Sequence, residues 1–441
     1  MLDEDFDLAD EEFVEELGIN QAEKMEPLAI LVGVHGQGEQ NRALAQEHLD
    51  ELEALTLTFG TPVGSKFSCR VRNFDPANFL PKGKLEELRV QAKESGANLL
   101  IFDDEISPAQ QRNLEKFFKI AVMDRTELIL EIFAARAQTR EAKLQIELAQ
   151  TCYEFPRLKR LWSHFSRQRQ SGGGFLKGEG EKQLEIDKRL LKKKVQKLHR
   201  ELKEVKKIRV QQRAKRERQA IATFAIVGYT NAGKSTLLNA LTNAQVFTED
   251  KLFATLDPTT RKFTLPSNQE VLLTDTVGFI RKLPHTLVAA FRSTLEAALH
   301  DDVLLHLVDL SHPMAVEHAE VTRALLKELN ANESSIITVL NKSDLCEDRG
   351  KINQLRVLYP KTVVISAKEQ KGLEELAQMM VQELALGRQE IKVRIPQTDY
   401  QLVSQIHQEG KVLYEEYEDN DVVIRAEIPN TLTHLFKEFL I

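Results

Sequence analysis

Residues 222–236 read ATFAIV followed by GYTNAGKST, and no other stretch restricts the fold as strongly. An apolar run that ends at Gly228, a second glycine at 233 and helix-forming residues after Ser235 give the strand, loop and helix of a phosphate-binding turn, G-x-x-x-x-G-K-[ST]. Such a turn works at the carboxyl end of a strand that feeds a helix, so these residues commit their surroundings to an α/β sheet. Gly228 and Gly233 let backbone N–H groups close around a β-phosphate, and Lys234 reaches the β- and γ-phosphates. Ser235 is placed to hold Mg²⁺ through its hydroxyl, and Tyr229, Thr230, Asn231, Ala232 and Thr236 complete the cradle. A glycine-rich turn without a ligand is the bland alternative, and the flanking strand and helix patterns speak against it.

A phosphate turn does not say which base it serves. Asn341, Lys342, Ser343 and Asp344 directly follow the apolar run IITVL, at the sheet end where nucleotides bind. The Asp344 carboxylate can accept from the N1 and exocyclic amino hydrogens of guanine, an arrangement adenine does not offer. Asn341 can reach the O6/N7 edge, and Lys342 can lie along the base plane. A site built around such a carboxylate rejects a ligand without those donors by roughly 10⁴ or more. Ser366, Ala367 and Lys368, after the run TVVI, would add backbone contacts to O6. Asp275, Thr276, Val277 and Gly278 end the run EVLLTDT; Asp275 can steady the Mg²⁺ hydration shell, and the Gly278 N–H can sense a γ-phosphate. Between these, Phe253, Ala254, Thr255, Leu256 and Asp257 are expected to line the nucleotide, followed by PTT, with Thr255, Thr259 and Thr260 as candidates for a second Mg²⁺ contact. Ras-like switches carry a water-orienting glutamine directly after the glycine, where this chain has Phe279. Slow intrinsic hydrolysis, accelerated when a macromolecular partner fixes the switch segments, is the expectation.

The rest of the chain organises around that domain. A length of 441 residues allows about three domains at roughly 150 residues each. The expected fold is α/β and multi-domain. An acidic N-terminal tail (1–25) precedes a small N-terminal α/β domain (26–126), read from strands at 28–34, 97–104 and 119–125 with helices near 40–54 and 84–96 between them. Ser107-Pro108 sets a helix start. From 127 to 220 only helix formers occur, which predicts two long helices, the first running from Glu127 to about Arg169. In the second, Leu184, Leu191, Leu198 and Val205 recur every seven residues with Val195 and Leu202 between, a coiled-coil seam. Glycines at 172, 173, 174, 178 and 180 break the helices into a hairpin tip, or a plain linker. The phosphate-loop GTPase domain spans 221–388 as a parallel sheet with helices on both faces, and 389–441 forms a small C-terminal α/β domain.

Charge is segregated within this plan. The net charge is −7, yet residues 157–218 hold 22 Lys and Arg against 7 Asp and Glu, a net of +15. A stretch of that density fits a polyphosphate partner or a solvated helix face. Cys69, Cys152 and Cys346 are too far apart for a Cys-x-x-Cys motif, and no apolar run approaches the length that spans a bilayer. A cytoplasmic protein without a membrane span, without structural zinc or cysteine chemistry, is expected. GVHGQG (33–38) has the wrong glycine spacing for a dinucleotide turn, and helicase motifs are missing.

Taken in order, IFDDEISPAQQRNLE (101–115), VMDRTELILEIFAARAQTREAKLQIELAQ (122–150), GEGEKQLEIDKRLL (178–191), GYTNAGKSTLLNALT, LFATLDPTTR and DTVGFIRKLP resemble the HflX family of translational GTPases over nearly the whole chain. The family typically carries GPGETQLE where this chain has GEGEKQLE. The resemblance implies Thr255 as the switch threonine, so that Ser235 and Thr255 would hold the metal and Lys234, Thr255 and Gly278 would act on the γ-phosphate. It also implies association with the large ribosomal subunit and GTP-dependent dissociation of ribosomes, with the hairpin tip approaching rRNA near the peptidyl-transferase centre. Arg160, Arg167, Arg169, Lys177 and Lys182 are the expected RNA contacts, and a monomer is expected off the ribosome. A GTP-regulated rRNA-binding assembly or silencing factor, without splitting activity, is the competing expectation.

Overall fold

The computed structural model describes residues 27–168, 179–217, 221–242, 252–253, 256–282, 303–329, 331, 335–346, 348–386, 388–418, 420–429 and 432–441. The chain divides into two compact units between Ile129 and Leu130. The acidic tail (1–25) and the glycines at 172, 173, 174 and 178 lie outside the described residues, as do Ala254 and Thr255, whereas Gly180 does not break the chain as expected but falls in the first turn of the helix Glu179–Glu217.

In the first unit, β1 (Ala29–His35), α1 (Glu39–Phe59), β2 (Val63–Arg70), α2 (Lys82–Ser95), β3 (Leu99–Phe102), α3 (Pro108–Phe118) and β4 (Ala121–Asp124) alternate along the chain. The sheet order is β2-β1-β3-β4 with all neighbours parallel. The strand β2 has no counterpart in the sequence reading, because VGSKFSCR holds no apolar run and buries only Phe67 and Cys69 fully. Ser107 and Gln110 cap α3 reciprocally through side chain and backbone, as Ser-Pro at a helix start requires. Arg125 is buried on Asp103 at 2.8 Å and Glu51 at 3.0 Å, so its charge is paired inside the core.

The first long helix is interrupted. The structure has α4 (Arg125–Arg136) and α5 (Arg140–Gln168) in place of one helix from Glu127, with residues 137–139 between them. Thr139 explains the break: its hydroxyl oxygen accepts the Ala142 N–H at 3.2 Å, an N-cap that starts a new helix. The following α6 (Glu179–Glu217) packs on α5 through Leu144, Leu148 and Leu198, with Cys152, Val195, Leu202 and Val205 alongside, so the Val195–Val205 part of the expected seam is in contact; Leu191 is not in this cluster, and the side chain of Leu184 lies outside the described residues.

The second sheet joins β5 (Ala222–Gly228), β6 (Thr259–Thr264), β7 (Glu270–Asp275), β8 (Val303–Asp309), β9 (Ile336–Asn341) and β10 (Thr362–Val364) in the order β10-β9-β8-β5-β7-β6. Five strands are parallel, but β6 runs antiparallel to β7 because the short turn at 265–269 leaves no room for a crossover. Among the described residues its helices are α7 (Lys234–Thr242), α8 (Ala315–Glu328), α9 (Arg349–Leu358) and α10 (Leu373–Leu386). Phe224, Ile226, Leu305, Leu307, Ile337 and Val339 form the core between the layers. This apolar sheet carries one cost: His306 is fully buried, and neither ring nitrogen has a hydrogen-bond partner among the described residues. Burial, with the nearby Arg323 charge adding to it, pushes His306 down to about 3.

At the C-terminus, β11 (Arg388–Pro396), α11 (Tyr400–Glu409), β12 (Lys411–Glu418), β13 (Asp421–Pro429) and α12 (Thr433–Phe436) form an antiparallel sheet ordered β11-β13-β12. Val393, Ile395, Val403, Ile424 and Phe436 fill its core.

Candidate guanine-nucleotide site

The glycines of the phosphate turn are required by contact. Gly233 has φ +94°, and a Cβ there would lie 2.5 Å from Asn341 Nδ2. At Gly228 (φ +158°) a Cβ would lie 2.4 Å from the Leu307 carbonyl oxygen. The turn is thereby pressed onto β8 on one side and onto the end of β9 on the other. Asn231 also adopts a left-handed conformation, at φ +59°, and is exposed.

Lys234 is buried at the first turn of α7, and its Nζ donates to the carbonyl of Tyr229 at 2.9 Å. Burial pushes this amine down to about 8, against the opposing pull of the Asp275 charge. A phosphate oxyanion in the cradle would restore the charge that burial disfavours. The Ser235 hydroxyl donates to Asp275 Oδ2 at 2.6 Å, and Thr236 occupies the same helical turn. A hydroxyl beside a carboxylate is the hard-oxygen donor set that suits Mg²⁺, so Ser235 and Asp275 fit the metal expected of the site.

Gly278 lies directly against this turn. A Cβ on it would sit 2.8 Å from Thr230 Cγ2 and 2.9 Å from Lys234 Nζ. Thr276 anchors the segment by donating to the Ile226 carbonyl at 2.7 Å, and Val277 is buried beside it. Phe279 then pairs with the turn as a short parallel bridge to Tyr229. Its N–H donates to the Gly228 carbonyl at 3.0 Å, and its own carbonyl accepts the Thr230 N–H at 2.7 Å. The Phe279 ring is buried, so neither its side chain nor its backbone is available to orient water in this conformation. The Tyr229 hydroxyl accepts the Arg281 N–H at 2.8 Å, and its ring stacks on His318 with centroids 3.7 Å apart.

The base-selecting residues meet the phosphate turn through Asn341. Its Nδ2 donates to the Ala232 carbonyl at 2.9 Å, and its Oδ1 accepts the Ala367 N–H at 3.0 Å. Asn341 and Ala367, expected from spacing at the base edge and O6, are here bonded to each other and, through Asn341, to the turn. Asp344 stands open at the surface with the Ser366 hydroxyl donating to its Oδ1 at 2.6 Å. That hydrogen bond first, and the Lys368 and Lys371 charges after it, hold the Asp344 carboxyl below the usual carboxylate range. Lys342, at φ +60°, places Nζ 2.7 Å from Asp309 Oδ2, and the Ser343 N–H donates to the Ile365 carbonyl at 3.2 Å.

The segment before β6 behaves differently from the rest. Phe253 and Leu256 are buried, and the Asp257 carboxylate accepts backbone N–H groups of Gln138 and Thr139. Sequence reasoning did not find this link, nor the Tyr229–His318 stack, since neither is local in sequence. Of the expected RNA contacts, Arg160 and Arg167 fall on α5 and Lys182 on α6, whereas Arg169 and Lys177 lie outside the described residues.

A phosphate turn at the end of β5, a carboxylate at the end of the adjacent β7 and an Asn-x-x-Asp sequence from the end of β9 define a P-loop GTPase. Comparison with known proteins narrows the class. Family models described as GTP-binding GTPase N-terminal, GTP-binding GTPase Middle Region and 50S ribosome-binding GTPase match residues 46–134, 136–216 and 223–342. GTPase HflX of Chlamydia pneumoniae is 47% identical over 420 residues, covering 95% of this chain and 89% of its own. GTPase HflX of Escherichia coli K12 is 38% identical over 403 residues, covering 91% and 93%. A solved structure of SsGBP in complex with GDP is 26% identical with a TM-score of 0.48, covering 81% of this chain and 98% of that one. The chain belongs to the HflX family and is a GTPase, converting GTP to GDP and phosphate. No described helix is long and apolar enough to cross a membrane.

Proposed function

We propose that this GTPase associates with the large ribosomal subunit in the cytoplasm and dissociates ribosomes into subunits, with slow intrinsic hydrolysis that the ribosome accelerates. The observation that carries the reading is Phe279. The position that holds a water-orienting glutamine in Ras-like switches is a buried phenyl ring with both backbone groups bonded to the phosphate turn. A site built this way gains its water-orienting group when a partner reorders it. The basic hairpin supplies a surface for RNA, since residues 157–218 carry a net of +15. The match to a model described as 50S ribosome-binding GTPase names the same partner.

In this reading Lys234 and Gly278 stabilise the γ-phosphate, the hydroxyls of Ser235 and Thr255 would hold Mg²⁺, and Asp275, which accepts the Ser235 hydroxyl, would support the ion. The metal supplies neutralisation of charge that develops on the phosphate oxygens. Asp344 selects guanine, and Arg160, Arg167, Arg169, Lys177 and Lys182 contact rRNA. Two measurements test this. Turnover of the purified chain is expected to rise with added large subunits; fast turnover that ribosomes leave unchanged overturns it. Light scattering is expected to show ribosome splitting with GTP or a non-hydrolysable analogue. Absence of splitting with both supports instead a GTP-regulated RNA-binding assembly or silencing factor.

A further inference from the structure

The short link between α4 and α5 directs its donors at one side chain of the GTPase domain. The N–H groups of Gln138 and Thr139 donate to Asp257 Oδ2 at 2.9 and 3.1 Å, and the Thr139 hydroxyl donates to Asp257 Oδ1. The same hydroxyl oxygen accepts the Ala142 N–H at 3.2 Å, and the Lys143 N–H donates to the Thr139 carbonyl at 3.0 Å. Thr139 therefore starts α5 and holds Asp257 in one arrangement. The carboxylate lies at the amino end of a 29-residue helix, where the backbone favours negative charge. A second contact fixes the same segment: the Phe253 ring meets Phe133 of α4 edge to face, with centroids 4.5 Å apart.

Asp257 is also tied to the phosphate site. Two residues later, Thr259 opens β6 and pairs with Asp275, whose carboxylate takes the Ser235 hydroxyl at 2.6 Å. From Ser235 the connection runs through Asp275, the β6–β7 register and Asp257 to the first turn of α5. Its members are packed or hydrogen-bonded neighbours throughout, a physical route for coupling.

We propose that Asp257 is a positioning residue of the GTPase cycle. It joins the segment before β6 to the amino end of α5, so that the nucleotide held beside Ser235 and Asp275 and the seating of the hairpin helix are thermodynamically coupled. The side chain acts through this joint, by its bonds to Gln138 and Thr139. The inference rests on GTP binding at the site described above and adds what the bound state acts on.

Affinities of the full-length chain for GDP and for a non-hydrolysable GTP analogue test it, in the unmodified protein, Asp257→Ala, Thr139→Val and the double variant. Each single variant is expected to change the ratio of the two affinities by about fivefold or more, and the double variant by no more than either alone. Asp257→Asn, which keeps one acceptor for the link, is expected to fall between. Hydrogen exchange in the first turn of α5 is expected to differ between the two nucleotides in the unmodified protein and to match in Asp257→Ala. A purely structural contact would lower the melting temperature and leave the ratio within twofold; that result, or additive single effects, overturns the proposal. Failure of the unmodified protein to bind either nucleotide would overturn the site itself.

Discussion

Replacing Asn341 by alanine separates bracing from base recognition. Asn341 is 2% exposed, and its amide satisfies two buried backbone groups, the Ala232 carbonyl and the Ala367 N–H. Truncation at Cβ leaves both without that partner, and an orphaned buried group costs about 1–3 kcal/mol. The pair therefore predicts a loss of roughly 2–6 kcal/mol in the nucleotide-free protein. At about 2–4 °C per kcal/mol, the melting transition of the GTPase domain should fall by at least about 4 °C. Guanine-nucleotide affinity should fall too, because the Ala232 carbonyl belongs to the phosphate turn. Asn341→Asp keeps an acceptor for the Ala367 N–H but sets a carboxylate oxygen against the Ala232 carbonyl, so it should not recover the loss. Calorimetry of nucleotide-free protein measures the stability change, and titration with GDP measures the affinity. An Asn341→Ala variant that melts with the unmodified chain while losing guanine affinity would refute the bracing role and return Asn341 to the base edge.

Three further outcomes follow from the same geometry. Gly278→Ala forces a methyl to within 2.9 Å of Lys234 Nζ and of the Thr230 backbone, so turnover should fall by about tenfold or more as the lysine is displaced; steady-state kinetics read it. Phe279→Gln should fail to raise intrinsic turnover and should destabilise the domain by about 3 kcal/mol, since it buries an amide where a ring packs; a faster enzyme of normal stability contradicts this. His306 should make the fold acid-sensitive. Its folded-state value near 3 lies below the ordinary 6.5, so unfolded chains take up the proton first and stability is lost as pH falls below about 6.5. Between pH 7 and 5 the loss should be about 2 kcal/mol, absent in His306→Phe, as measured by denaturant midpoints.

Much of this fold could be read from local pattern. The strand before Gly228, the helix after Lys234 and the heptads from Leu191 to Val205 each announce themselves through a period or a turn residue. The strand β2 does not, because its burial comes from pairing with β1 and not from an apolar run of its own. The break at 137–139 was hidden for a related reason: Thr139 is a moderate helix former until Asp257, more than a hundred residues away, takes its donors. The site shows the same division. Lys234, Ser235, Asp275 and Asp344 are legible because the chemistry requires those residue types at those spacings. The bracing role of Asn341 and the pairing of Phe279 with Gly228 and Thr230 depend on how separate loops close on one another, which spacing does not encode.

The most direct test is calorimetric titration of the full-length chain with Mg²⁺-GTP and Mg²⁺-ATP, before and after Asp344→Asn. The carboxylate reading predicts GTP bound about 10⁴-fold more tightly than ATP, with most of that preference lost in the variant. Equal affinity for the two purine nucleotides in the unmodified protein, or a preference that Asp344→Asn leaves intact, would contradict it.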